Sequence, residues 1–463
     1  MSRFVWIALL SLAAFSQPQS NQPRAATSGQ PKPVPFRSAD GKVTGWKIQI
    51  PGNRPLATPA IAEGKLFVGG GFGSHEFYAF DATTGVHLWT YHTADDGPTA
   101  AVIEDGRIAF NTESCELEVI TTGGKPLWKK WLGDPLMSMP AVAGGAVYMA
   151  YPDSKGDHQY YLAAFDLKTG AALWKHPIAN EVITAPVVDG ARVYVSTLDG
   201  SMLALNRADG SEIWKEQKNA TSAPAVWMEQ VFFSRGEDTK VQQAGQVAMQ
   251  KTEMLSMRPV AARSAPKDLP ETRQKADYLD YAKNANSAAG LASANFDASV
   301  GFAGPVKGSA KMVMAKSNLG QGTVHGIWAY QGSKPFVDQG HLYSSMGDNA
   351  RSVEPKTGKV VWSRKLEPRR PGGGSILTPP AIVNGKLFIG SSTGEVFALS
   401  EKTGDILWRT EVGEPVGFQT AIANGKVYVV TNQGTLYCLN TGDARDHGWL
   451  MWGANGMHNG LAK

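Results

Sequence analysis

The chain has 463 residues, of which 42% are apolar and 19% charged, with a formal net charge of +4. It can bury a sizeable core and is too long for one ordinary sandwich, although a large closed repeat could hold it as a single domain. The slight charge without a dense Lys/Arg block excludes a nucleic-acid surface, and two distant cysteines, Cys115 and Cys438, exclude a disulfide framework, a CxxCH haem site and a paired-Cys zinc site.

Residues 1–16, MSRFVWIALLSLAAFS, place one early Arg before an apolar run from Phe4 to Phe15, with Ala14 and Ser16 as a small-x-small cleavage site. This is the pattern of a secretory signal peptide, and the run is short for a membrane anchor, so an exported, periplasmic or secreted protein is expected. Residues 17–41 are rich in Pro, Gln and Ser and are expected to form a flexible linker.

From there the chain repeats itself. YAFDATTGVHLW (78–89), AAFDLKTGAALW (163–174), LALNRADGSEIW (203–214) and FALSEKTGDILW (397–408) each set a Gly four residues before a Trp, and 117–128 and 351–362 are looser copies. Each copy reads as a strand, a turn that needs Gly, and a second strand carrying Trp. Upstream lies another hairpin, as in TPAIAEGKLFVGG, PPAIVNGKLFIG and QTAIANGKVYVV, where Asn-Gly pairs suit two-residue turns. Four short antiparallel strands in about 40 residues are the dimensions of a propeller blade.

Three-strand sets begin near Thr58, Thr99, Met139, Ala185, Ala223, Lys334, Thr378 and Thr420, and Trp strands occur at Trp46, Trp89, Trp128, Trp174, Trp214, Trp328, Trp362 and Trp408. The expected fold is therefore all-β: an eight-bladed β-propeller over 42–441, with the Trp residues as structural wedges. The last set lacks a Trp strand, and Trp46 has nothing to pair with. GWKIQI (45–50) is accordingly expected to close the ring. The 114-residue spacing from Trp214 to Trp328 marks a long insertion in blade five, about 258–322, with a helix expected from Pro270 to Gly290. It is either a partner-binding arm or disordered decoration. Residues 442–463 form a C-terminal tail with Trp449, Met451 and Trp452.

The phrase acidic-x-x-T-G-x-x-x-W, preceded by P-A-V and a G-K-V-Y-V-like strand, resembles the pyrroloquinoline-quinone (PQQ) type propeller repeat, from Trp46 to Asn440 apart from the insertion. The resemblance implies either exported quinoprotein dehydrogenases or cofactor-free scaffolds such as the propeller subunit of outer-membrane barrel assembly. Dehydrogenases need an Asp base, Ca²⁺ on oxygen ligands and a quinone slot, and the alcohol-oxidising members use adjacent cysteines. No such Cys pair or catalytic motif occurs here, so no catalytic residue is assigned. No cofactor is expected, and PQQ with calcium stands as the alternative.

Loops between strands two and three share a face with the links between blades. That face is expected to gather His75, Glu76, His92, Asp95, Asp96, Glu113, Cys115, Glu116 and Asp134 in an acidic sector and Arg369 and Arg370 in a basic one. Such residues are polar in any solvated loop. As a site they would orient a protein or peptide partner, and a divalent metal held by carboxylates with His75 and His92 is a lesser alternative. The leading expectation is an exported, monomeric, non-catalytic scaffold binding a protein partner in the cell envelope. The alternatives are a quinoprotein or metal-assisted oxidoreductase and, more weakly, a carbohydrate-binding module.

Overall fold

The computed structural model describes residues 30–448 apart from positions 72, 114, 133–137, 153–159, 181, 198, 219, 221, 228–229, 236–250, 257–333, 356 and 370–374. Every element among the described residues is a strand, and every sheet is an antiparallel meander. Sheet one shows the pattern: Ala60–Ala62, Lys65–Gly69, Glu76–Asp81 and His87–His92, from the centre outwards. The innermost strands of sheets one to four touch in turn, as do those of sheets five and six and of sheets seven and eight, and Ala421–Ala423 of the last sheet meets Ala60–Ala62 of the first, which closes the propeller.

The expected eight four-stranded blades require correction. Seven sheets have four or more strands; sheet five has three, Ala225–Trp227, Gln230–Arg235 and Lys251–Ser256. Its expected fourth strand, carrying Trp328, lies outside the described residues, as do the helix of the insertion 258–322 and the signal peptide. The closing sheet has five strands. Thr44–Gln49 pairs with Thr435–Asn440, setting Trp46 opposite Cys438, and Val34–Arg37 adds outside it. The linker expected to be flexible over 17–41 therefore contains a strand. Its Pro35 is tolerated because an outermost edge strand needs no N–H on its free side, and Phe36 packs edge-on against Tyr437 at 5.3 Å.

The turn of the repeat has a local chemistry. The Asp81 carboxylate accepts the backbone N–H groups of Thr83 and Thr84 at 3.0 and 2.7 Å, while Gly85 N–H donates to the Asp81 carbonyl at 2.8 Å. Gly85 takes φ +73, a region that costs side-chain-bearing residues energy. Sequence alone explains the glycine this far; the neighbouring sheet supplies a second reason. The Trp of the preceding sheet lies flat over the Gly: a Cβ on Gly210 would stand 2.5 Å from the Trp174 ring, and one on Gly404 2.5 Å from Trp362. The same indoles donate across the seam, Trp174 Nε1 to the Arg207 carbonyl and Trp362 Nε1 to that of Glu401, both at 2.9 Å. Trp46 and Trp128 bond Thr83 and Leu167 alike, at 2.9 and 3.0 Å. Each ring thus couples hydrophobic burial, worth roughly 2–3 kcal/mol, to a directional bond between sheets.

Sheet two departs from this pattern. Its turn is one residue tighter, with Gly124 N–H donating to Thr121 O at 2.8 Å, and Trp89 of sheet one is left with a buried indole N–H that has no partner among the described residues.

Candidate functional site

The links and the loops between second and third strands emerge at one end of the ring. Around sheets one and two, backbone bonds stitch three of these loops together. Thr93 N–H donates to His75 O at 2.8 Å, Gly97 N–H to Ser74 O at 2.9 Å, and Glu113 N–H to Asp96 O at 2.8 Å. His75, Glu76, His92, Asp95, Asp96, Glu113 and Glu116 therefore occupy one contiguous rim. His75 is exposed and the other six are half-buried. Glu76 sits across the sheet from His92 and accepts the Ser74 hydroxyl. Glu116 pairs with Lys129 at 3.0 Å, which neutralises part of the acidic sector.

Cys115 does not belong to the presented surface. It is fully buried, takes φ +61, and lends its carbonyl to Leu132 N–H at 3.0 Å. Its role is to turn the loop. Asp134 and Arg370 lie outside the described residues. Arg369 is exposed, and its backbone N–H reaches the Glu395 carboxylate at 3.3 Å; Glu395 is itself buried and paired with Arg409. Arg369 is thus seated on an internal ion pair, in the link between sheets six and seven.

A group absent from the sequence reading lies directly behind the acidic rim. Glu118 is 1% exposed; one oxygen accepts the Tyr91 hydroxyl at 2.6 Å across the seam between sheets one and two, and the other has no partner among the described residues. Burial pushes its carboxyl up to about 7, against the lowering influence of Tyr91, and neighbouring Glu116 raises it further. A signal existed in the repeat: the matching third-strand positions hold Tyr78, Ala163, Leu203, Phe397 and Tyr437, with Arg351 in sheet six also charged, so Glu118 stands in a column whose members are mostly uncharged.

Among the described residues no group of three or more His, Cys, Asp or Glu side chains is arranged to hold a metal ion. Both cysteines are buried, on different sheets, and not joined in a disulfide.

The sequence pattern of the outer membrane protein assembly factor BamB family matches residues 116–259 and 346–449, more than half of the chain. The chain belongs to the BamB family. BamB of Nitrosomonas eutropha is 29% identical over 137 residues, 30% of this chain and 29% of that protein. A second relative carries a different name: the tetrathionate hydrolase of Acidithiobacillus ferrooxidans is 21% identical over 366 residues, 71% of this chain and 66% of that protein. Against these two curated relatives the chain thus spans 29% and 66% of their length. Among solved structures, BamB from Moraxella catarrhalis superposes with a TM-score of 0.53 at 13% identity, covering 88% of this chain and all of that one. The quinohemoprotein alcohol dehydrogenase of Comamonas testosteroni gives 0.52 at 14%, covering 88% and 78%. At such identities the likeness establishes the fold alone. BamB-family membership and the PQQ-like repeat are thereby both in place.

Proposed function

We propose that this BamB-family propeller is an exported, non-catalytic scaffold that binds a protein or peptide partner at its loop rim and serves outer-membrane protein assembly in the cell envelope. The observation that carries the proposal is the acidic rim of sheets one and two, its loops joined by backbone hydrogen bonds, on a chain whose family is named for assembly. A preformed charged face recruits a complementary partner with little ordering cost. No helix among the described residues is long and apolar enough to cross a membrane.

The test has two arms. In the native host, loss of the gene is expected to lower outer-membrane β-barrel protein levels, restored by the wild-type chain and not by a Glu76→Lys, Asp95→Lys, Asp96→Lys triple variant that folds normally. Unchanged barrel levels on deletion would overturn the assembly role. The resemblance of the repeat to the PQQ type motivates a second reading, a quinoprotein oxidoreductase. Purified chain mixed with PQQ and Ca²⁺ decides it: quinone absorbance that co-purifies, together with dye-linked alcohol oxidation, would replace the scaffold by an enzyme.

A further inference from the structure

Two residues before each innermost strand, the chain enters the ring at the axial end shared with the rim. Across the sheets this position holds only neutral residues, Thr58, Met139 and Gln419 among them, with one exception: Lys334, ahead of Phe336–Asp338. The neutral members seal neighbouring sheets. Thr58 Oγ1 donates to the Gln419 carbonyl at 3.0 Å, and Gln419 Nε2 to the Pro380 carbonyl at 2.6 Å. Lys334 makes no such bond. It is 8% exposed, and its ammonium has no carboxylate partner among the described residues. Its nearest compensation is the Phe336 ring, 5.4 Å from Nζ.

The magnitudes do not balance. A cation over a phenyl ring recovers about 0.5–2 kcal/mol, whereas withdrawing an ammonium from water costs several. Burial accordingly lowers the Lys334 amine to about 8, which still leaves it charged at neutral pH. The same axial end of other sheets carries buried hydroxyls without partners. Ser138 and Thr184, each three residues before an innermost strand, and Thr420, one before, are buried with hydroxyls that have no partner among the described residues. Thr184 is held at φ +68, strained for a β-branched residue, and its carbonyl accepts Met139 N–H from the adjacent sheet at 2.6 Å. No acidic residue occupies the three positions before any innermost strand.

We infer that the axial mouth of the propeller is a binding site for a small oxyanion, a carboxylate or phosphate, with the Lys334 ammonium as its charge anchor. An oxyanion supplies what this axial end lacks, a negative charge and several acceptor lone pairs. The inference is independent of the partner-binding proposal, since the mouth and the acidic rim have opposite charge preferences.

Calorimetric titration of the full chain at pH 7, with ionic strength held by sodium chloride, tests it with sodium phosphate and sodium acetate as separate probes. Saturable one-site binding of at least one is expected, and which one binds identifies the anion. Lys334→Met should weaken it roughly 10- to 100-fold, the loss of a charge-assisted bond, and Lys334→Arg by no more than a few-fold. Should Lys334→Met fail to fold, the wild type answers alone: the bound anion should slow reductive methylation of Lys334, mapped by mass spectrometry, at least fivefold relative to chloride. Absence of binding by both anions, equal affinity in Lys334→Met, or an unprotected Lys334 in the presence of saturating anion would overturn the site.

Discussion

Gly210 offers a sharp test of why the repeat keeps its spacing. Replacing it with Ala has two separable costs. The residue sits at φ +70, which a side-chain-bearing residue enters at about 1–2 kcal/mol. The added Cβ would also stand 2.5 Å from Trp174 Cε3, inside any real contact distance, so the indole must tilt and its 2.9 Å bond to the Arg207 carbonyl must lengthen. Overpacking of this kind costs about 1–3 kcal/mol. Gly64 supplies the control: it takes φ +71 in a hairpin turn, and a Cβ there meets nothing within 4 Å among the described residues. Urea unfolding followed by far-UV circular dichroism should therefore show Gly64→Ala losing about 1–2 kcal/mol and Gly210→Ala about 2–5. Equal losses would refute the idea that the Gly is kept for the neighbouring sheet's Trp and leave only the turn.

Trp174→Phe should cost about 1 kcal/mol more than Trp89→Phe in the same assay, because only Trp174 has a hydrogen-bonded indole to lose. Glu118 fixes a pH dependence. Its folded carboxyl, raised to about 7 from an ordinary 4.5, binds more protons than the unfolded chain between those values. The stability it contributes in acid is therefore lost as pH rises from about 4.5 to about 7. Glu118→Gln keeps an acceptor for Tyr91 without the charge, so it should gain on wild type at pH 8 and not at pH 4.5, measured by unfolding midpoints; an equal effect at both would count against the assignment. Asp446 is fully buried and accepts Lys386 Nζ and Asn384 Nδ2, each at 2.7 Å, which ties the tail to sheet seven. Asp446→Ala should cost about 3 kcal/mol, as breaking a buried pair does, and hydrogen exchange should show earlier opening at 441–448.

The blades were legible because a large residue and a flexible one recur at fixed spacing, and because Trp46 had no partner other than the final sheet. What stayed hidden depended on contacts between sheets. The Gly–Trp stacking joins residues roughly a blade apart in sequence, as Trp174 and Gly210 are, and no local pattern announces it. Val34–Arg37 looked like linker because Pro33 and Pro35 argue against strands, and only an edge position removes that objection. For the rim, strand punctuation located the loops correctly in chain order, so His75, Glu76, His92, Asp95 and Asp96 could be grouped. Burial within those loops could not be read: Cys115 and Glu116 are neighbours in sequence, yet one is buried and the other paired near the surface. Glu118 escaped because its burial depends on Tyr91 and the neighbouring sheet, which no local pattern in the sequence announces.

The closing sheet has a consequence for how the molecule is made. Gln49 and Thr435, bonded side chain to side chain at 2.8 Å, are 386 residues apart. A nascent chain emerges from its beginning, so the Trp46 strand, paired on one edge with Val34–Arg37, must wait with its other edge open until the last hairpin has been synthesised. Until then sheet one lacks the indole that covers Gly85, and the growing array is an open arc whose two raw ends can seek other strands. Completion is a single late event, and any factor that shields the Trp46 segment before it would govern yield more than the stability of any one blade.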